Sequence, residues 1–354
     1  MFDSLVVQTA FLGDLLLGIP LFKKIKELHP DGRLTVVCRR GLGSFLTESG
    51  LVDEVIEIDK KSGVDWREAK RRLKDRTFDL LLCPHESPRS ALFVRGLKAK
   101  KKIGFKSWFN GFIFDERIER PMQDPEAIRQ LSLLSGESRD VQNQIFDFEK
   151  SQQKAGGRFE NGALVPVPAQ LGMQIPKLVE MRAKKDPQAK TAVLAPGSVW
   201  ATKMWTSEGF VAVGKNLANK GFRVLISGSA QERALCESIA REIPGAESVA
   251  GKTSLFESAK ILSQSDLLVC NDSGSMHLAS CAGTPTVSVF GPTVLDFGYR
   301  PWNDSRAEVV QLDLDCRPCG THGAKACPLG THACMKGLPA TVVSLAVDRV
   351  LNLR

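Results

Sequence analysis

No apolar run in these 354 residues approaches the roughly 18 that a spanning helix needs. The sequence therefore offers no candidate for a transmembrane helix. A secretory signal is missing too: Asp3 stands where Lys or Arg would be wanted, and no small-residue cleavage site follows. A cytoplasmic location is expected from this. There is no short repeat and no low-complexity tract, which argues against solenoid and disordered classes. No nucleic-acid motif accompanies the basic charge, so nucleic acid is not an expected partner. What is present is ordinary globular composition, 43% hydrophobic and 25% charged, at a length that suggests two domains. The net charge of +8 and pI near 9.0 favour an anionic partner. Nine cysteines in a cytosolic chain are expected as reduced thiols or metal ligands.

Short apolar runs alternate with helical patterns along the first part of the chain. Strands are expected at Leu5 to Val7, Leu34 to Cys38, Val55 to Ile58, Phe78 to Cys83 and Lys101 to Phe105. A helix is expected from about Leu15 to Leu28, another over 64–75, and others at Ser90 to Leu97 and near Pro125 to Leu134. Residues 151–190 are rich in Gln, Lys, Pro and Gly, without clear periodicity. The interdomain connection is placed there, around Pro166 to Lys190. The alternation then restarts, with strands at Ala192 to Ala195, Phe222 to Ser227, Leu267 to Cys270, Thr286 to Phe290 and Val309 to Leu312. Helices are expected at Ser207 to Asn219, about Ala230 to Glu242, Ser254 to Gln264 and 338–353. Strands alternating with helices imply parallel sheets covered on both faces. Two α/β halves suggest a cleft between them, with ligands at the carboxyl ends of the strands.

The most informative stretch runs from Leu267 to Pro292. A strand leads into Asn271-Asp272-Ser273-Gly274, and a short helix follows to Ala282, closed by Gly283 and Pro285. This arrangement aims unpaired N–H groups and a positive helix end at a ligand, above all a phosphate. Ser273 and Gly274 could offer hydroxyl and N–H donors. Asp272 suits an adjacent sugar hydroxyl or a salt bridge with Lys203. His277 reads either as a ligand contact or as a core histidine. Pro196-Gly197-Ser198 also ends a strand, and Lys203 follows between Trp200 and Trp205. It reads as a surface lysine or as the cation that neutralises a diphosphate. Glu232 opens a helix after Ser229 and could accept from ribose hydroxyls or serve the helix dipole. Asp14 follows the first strand. It is either an N-cap or a carboxylate placed to take a proton from a hydroxyl.

Cys316-x2-Cys319-x7-Cys327-x6-Cys334, with His322 and His332 interleaved, could bind zinc or could simply line a loop. Arg95 to Lys106 carries six Lys/Arg and no acid, and Trp108, Phe109, Phe112 and Phe114 follow. That pairing suits an anionic membrane surface or a phosphorylated lipid. It also suits a solvated helix end followed by core aromatics.

Taken together, these motifs resemble those of the ADP-heptose:lipopolysaccharide heptosyltransferases. Phe11-Leu-Gly-Asp14 is similar to the family's N-terminal G-D motif. Lys203-Met-Trp205 is similar to its K-x-W motif, with Thr206 where the family usually has Pro. Asn271-Asp-Ser-Gly-Ser-Met-His277, running to Phe290-Gly-Pro292, is similar to its D-[ST]-G-x-x-H signature. The Cys316 to Cys334 segment is similar to a tail loop of the heptosyltransferase II branch. The resemblance implies an inverting glycosyltransferase of GT-B architecture, with two Rossmann-like doubly wound parallel-sheet domains facing a cleft. Residues 1–175 would bind the acceptor and 176–337 the ADP-sugar, with the C-terminal helix 338–354 a candidate to pack back on the first domain. Asp14 would be the general base and Lys203 would stabilise the ADP leaving group, the role of a metal in other transferases. Ser198, Ser273, Gly274 and His277 would contact the phosphates, Glu232 the ribose and Asp272 the donor heptose. No cofactor and no catalytic metal are implied. The implied partners are ADP-heptose, a Kdo- or heptose-terminated lipid A acceptor and the cytoplasmic face of the inner membrane as a peripheral contact. Two alternatives stay open: a nucleotide-sugar epimerase of the same architecture, and a non-catalytic, zinc-stabilised binder of anionic polymers.

Overall fold

In the computed structural model the described residues are 1–154, 172–302 and 307–352. Contacts divide the chain into two compact units, Met1–Lys150 and Ser151–Arg354. The boundary expected at 175/176 lies beside residues 155–171, which are outside the described residues.

The first unit runs β1 (Asp3–Gln8), α1 (Leu12–Leu17), α2 (Ile19–Leu28), β2 (Arg33–Arg39), α3 (Gly43–Glu48), β3 (Glu54–Ile58), α4 (Gly63–Leu73), β4 (Thr77–Cys83), α5 (Pro88–Arg95), β5 (Lys98–Phe105), β6 (Glu116–Ile118), α6 (Glu126–Leu131) and α7 (Arg139–Lys154). Its six strands are parallel in the order β3-β2-β1-β4-β5-β6. The central strand β1 is covered on both faces, which is why Leu5, Val6 and Val7 form an unbroken apolar run. The helix expected over Leu15 to Leu28 starts earlier and breaks. Its first part begins at Leu12, and the chain reorients at Gly18, where Pro20 sits in the first turn of α2. A Cβ on Gly18 would stand 2.9 Å from Oε1 of Gln130, so the break also lets α1 and α6 approach closely.

The second unit continues with α8 (Pro176–Ala183), β7 (Thr191–Ala195), α9 (Ser207–Asn219), β8 (Arg223–Ile226), α10 (Arg233–Glu242), β9 (Glu247–Ser248), α11 (Leu255–Ser263), β10 (Leu267–Asn271), α12 (Gly274–Ala282), β11 (Thr286–Phe290), β12 (Ala307–Gln311), α13 (Ala333–Lys336) and α14 (Ala340–Val350). Its sheet is parallel in the order β12-β11-β10-β7-β8-β9. Read outward from the first strand of each unit, the two orders are the same doubly wound order. The expected fold class is thus present in both units. One expectation needs correction. The last helix does not stand as a candidate for the first unit: α14 packs on α9, β11 and β12, burying Val343, Ala346, Val347 and Val350 in the second core. Its apolar stripe is what that sheet face lacks. A second correction concerns the stretch read as connection up to Lys190. It contains α8, which packs on α11 and α12 and is pinned by the Ile175 N–H to the Cys281 carbonyl at 2.9 Å.

Candidate functional site

In doubly wound sheets, ligands lie beyond the carboxyl ends of the strands at the point where strand order reverses. In the second unit that point falls between β7 and β10. The β7 end carries Ser198 and Lys203, and the β10 end carries Asp272, Ser273, Gly274 and His277. Asn271 binds the two ends together: its Nδ2 donates to the Pro196 carbonyl at 2.8 Å, and its Oδ1 accepts the Trp205 N–H at 2.9 Å. Lys203 Nζ reaches Asp272 Oδ2 at 2.5 Å. The salt bridge is therefore the arrangement present for Asp272. Thr293, on the loop after β11, donates to the same oxygen at 2.7 Å.

Ser273 is the N-cap of α12, and Gly283, at φ +68°, closes that helix in the left-handed region. Two buried polar atoms at this helix start have no hydrogen-bond partner: Ser273 Oγ and His277 Nδ1. Leaving a buried polar group unmet costs about 1–3 kcal/mol. Both atoms sit where a positive helix end favours an anion, so a ligand there would satisfy them. Burial pushes the His277 imidazole down to about 4, with Lys203 acting the same way and Asp272 opposing. At neutral pH His277 is thus uncharged and offers hydrogen bonding, not charge.

Glu232 serves the helix start and also reaches the end of β7. Its Oε2 accepts from Ser229 N at 2.7 Å and Ser229 Oγ at 2.8 Å, a capping box. The same carboxylate lies against the β7 end, because a Cβ on Gly197 would stand 1.9 Å from Oε1. Gly197 is what admits the acid to that strand end. Ser198 is half-buried and its Oγ accepts the Trp200 N–H at 3.4 Å. The two tryptophans do not both flank Lys203 as ligand contacts. Trp205 turns into the core, edge-on to Phe210, with its Nε1 donating to the Leu338 carbonyl at 3.2 Å. Thr206, where the motif usually has Pro, caps α9 by accepting the Gly209 N–H at 3.1 Å.

The cysteine segment braces this site. His332 Nε2 meets the Thr202 carbonyl at 2.7 Å, Thr202 Oγ1 donates to the Ala324 carbonyl at 2.5 Å, and His322 stacks on Trp200. Arg317 donates to the carbonyls of Gly291 and Thr293. The loops carrying Lys203 and Thr293 are thereby held from one side. All nine cysteines are free thiols. Among the described residues, no three His, Cys, Asp or Glu side chains are arranged to hold a metal ion.

In the first unit the order reverses between β1 and β4. Asp14 is not the N-cap expected. It is the third residue of α1, and its Oδ2 accepts the Phe11 N–H at 3.2 Å, capping from inside the helix. Gln130 Nε2 holds the Asp14 carbonyl at 2.9 Å. The sequence reading missed the groups around it. His85, after β4, bonds Thr9 and Ser90 through Nδ1, each at 2.9 Å, and Lys60 Nζ lies 3.4 Å from its Nε2. Burial pushes His85 down to about 4, and Lys60 and Arg120 add to the shift. Burial also lowers Lys60, with Arg39 and Arg89 acting the same way and the Asp14 charge opposing. Glu126 is raised, mainly by burial and further by Asp14, against Arg120. Asp14 therefore lies in a field set by Lys60, Glu126 and their neighbours. Only a lysine or histidine just past a strand end could have signalled these residues.

With this geometry in view, likeness to known proteins is decisive on one point. A family model described as glycosyltransferase family 9 (heptosyltransferase) matches residues 66–328. The chain belongs to this family. Lipooligosaccharide heptosyltransferase 2 of Campylobacter jejuni is 32% identical over 45% of this chain and 50% of its own length. The chain thus spans about half the length of that relative. Lipopolysaccharide heptosyltransferase 1 of Pseudomonas aeruginosa is 25% identical over 89% of this chain and 85% of its own. The solved structure of Escherichia coli heptosyltransferase WaaC with ADP superposes with a TM-score of 0.74 at 16% identity, covering 98% of this chain and 99% of that one. Likeness at that identity shows the fold, which is the GT-B architecture the resemblance implied. The K-x-W and D-[ST]-G-x-x-H stretches both fall inside the matched family region.

Proposed function

We propose that this family 9 member moves a heptose from ADP-heptose to the inner core of lipopolysaccharide with inversion at the transferred carbon. The carrying observation is the pair of unmet buried atoms, Ser273 Oγ and His277 Nδ1, at a helix start beside the Lys203–Asp272 bridge. That set suits a diphosphate. Ser273, Gly274 and His277 would donate to its oxygens, Ser198 would add a hydroxyl, and Glu232 would hold the ribose. Lys203 would stabilise charge on the departing ADP, and Asp272 would orient Lys203 and the donor sugar. Asp14 would take the proton from the acceptor hydroxyl. A single carboxylate suffices for one displacement, because no covalent intermediate needs a second. Lys60, which interacts with Asp14 and stands among the charges of Arg39 and Arg89, would favour an acceptor with a phosphate or carboxylate near the attacked hydroxyl. A lipid-linked acceptor would bring the protein to the cytoplasmic membrane surface. Among the described residues no helix is long and apolar enough to cross a membrane.

Incubation with ADP-heptose and a truncated core acceptor should release ADP. No turnover with any Kdo- or heptose-terminated acceptor would defeat the reading. ADP-heptose consumed at the same rate without acceptor would instead favour the epimerase.

A further inference from the structure

The loop between β5 and β6 holds two aromatic rings out in solvent. Trp108 is 96% exposed and Phe112 89%. Single exposed apolar side chains are ordinary. Two large exposed rings on one short anchored loop are not. The anchoring is explicit. Asn110 is buried, its Nδ2 donates to the Phe105 carbonyl at 2.7 Å, and its Oδ1 accepts the Ser107 N–H at 3.0 Å. Ile113 and Phe114 are buried beneath, and the Phe114 ring fills the space a Cβ on Gly104 would need, 2.6 Å away. The inner half of the loop is core and the outer half is held out.

Two cations, Lys106 and Arg117, border the rings. Arg117 Nη1 lies 3.8 Å from where a Cβ on Gly111 would stand, so its side chain borders the tip. Lys106, the first residue after β5, is exposed beside the rings, and the acid that meets it, Glu119, is itself 80% exposed. The loop leaves β5 at the strand's carboxyl end, the edge that also carries Asp14 and His85. Its Phe109 and Asn110 line one small recess together with His85. Aromatic rings flanked by Lys and Arg match the interfacial layer of a bilayer with anionic headgroups.

We infer that residues 106–117 form a membrane-docking tip, in which Trp108 and Phe112 enter the interfacial layer of an anionic bilayer while Lys106 and Arg117 meet its headgroups. This places the Asp14 edge of the first unit next to the surface that would carry a lipid-linked acceptor. The inference deepens the membrane association in the proposed function, but the binding it describes needs no turnover.

The test is co-sedimentation of the full chain with vesicles of phosphatidylcholine alone or mixed with phosphatidylglycerol. Wild type should bind the mixed vesicles and shift its tryptophan emission to the blue. Trp108→Ala/Phe112→Ala should bind them about tenfold more weakly or worse, with an unchanged melting temperature. Arg117→Glu should weaken binding only when phosphatidylglycerol is present. Turnover with a deacylated, water-soluble acceptor should be the same in wild type and the double variant. Equal sedimentation of wild type and double variant overturns the inference, as does failure of wild type to bind mixed vesicles. A double variant that binds vesicles normally but loses turnover with the soluble acceptor overturns it too, and assigns the rings to the acceptor. Vesicle binding that follows the rings in a protein without transferase activity leaves the tip standing and defeats the proposed reaction alone.

Discussion

Lys203 Nζ and Asp272 Oδ2 lie 2.5 Å apart at the two strand ends where the second sheet reverses its order, with side chains 11% and 7% exposed. A buried pair of this kind adds little net stability, but removing one partner strands the other charge. Lys203→Ala should therefore destabilise the fold by about 3 kcal/mol and abolish ADP binding. Asp272→Asn should do less harm to the fold, since the amide oxygen still accepts from Thr293 and Lys203. Urea unfolding and calorimetric titration with ADP separate the two effects. ADP bound normally by Lys203→Ala would remove the lysine from the nucleotide site.

Asp14 caps α1 from inside the helix, just past the end of β1, and the proposed reaction makes it the base. The two roles separate in one variant. In Asp14→Asn an oxygen remains to accept the Phe11 N–H, so stability should fall by less than about 1 kcal/mol. The amide cannot take a proton, and transfer should fall on the order of a hundred- to ten-thousand-fold. ADP affinity should not move. Turnover close to wild type would leave Asp14 a cap and nothing more.

Which parts were legible in the sequence follows from what each feature depends on. The long parallel strands showed because both faces are buried and their runs are apolar throughout, as in Leu267 to Cys270. The edge strands β6 and β9, three and two residues long, carry too little pattern to show. The helix α8 was hidden in a stretch of Lys, Gln and Pro because its only buried position is Leu178. Asp14, Lys203 and the Asp272 to His277 turn stood out because each follows a strand within its own motif. Thr293, Asn271's clamp and the His85–Lys60 group did not, because their partners come from segments far away in the chain. Gly197 and Glu232 were both visible, but their contact was not.

That contact gives a third test. A Cβ at position 197 would stand 1.9 Å from Glu232 Oε1, so Gly197→Ala must push the carboxylate away. If Glu232 holds a ribose hydroxyl, ADP affinity should fall about tenfold, the loss of one charge-assisted hydrogen bond. In a Glu232→Ala background the same Gly197→Ala change should cost almost nothing further, since the clash is gone. Additive losses in that double-mutant cycle would show that the two positions act independently.

The two buried histidines make stability depend on pH. Both imidazoles titrate near 4 in the fold, chiefly through burial, against about 6.5 in an unfolded chain. Between those values the unfolded chain binds the protons and the folded one does not, so stability rises with pH across that window. It is fully present above about pH 6.5 and drains away as pH falls toward 4, by up to about 3 kcal/mol for each group. The urea midpoint of the wild type should therefore drop between about pH 7 and about pH 5. His277→Gln keeps a hydrogen-bonding group without a titrating one, and should flatten that drop. His85→Gln should flatten it separately, since His85 and His277 belong to different units and their contributions add. A pH slope unchanged by either substitution would place the acid sensitivity elsewhere in the chain.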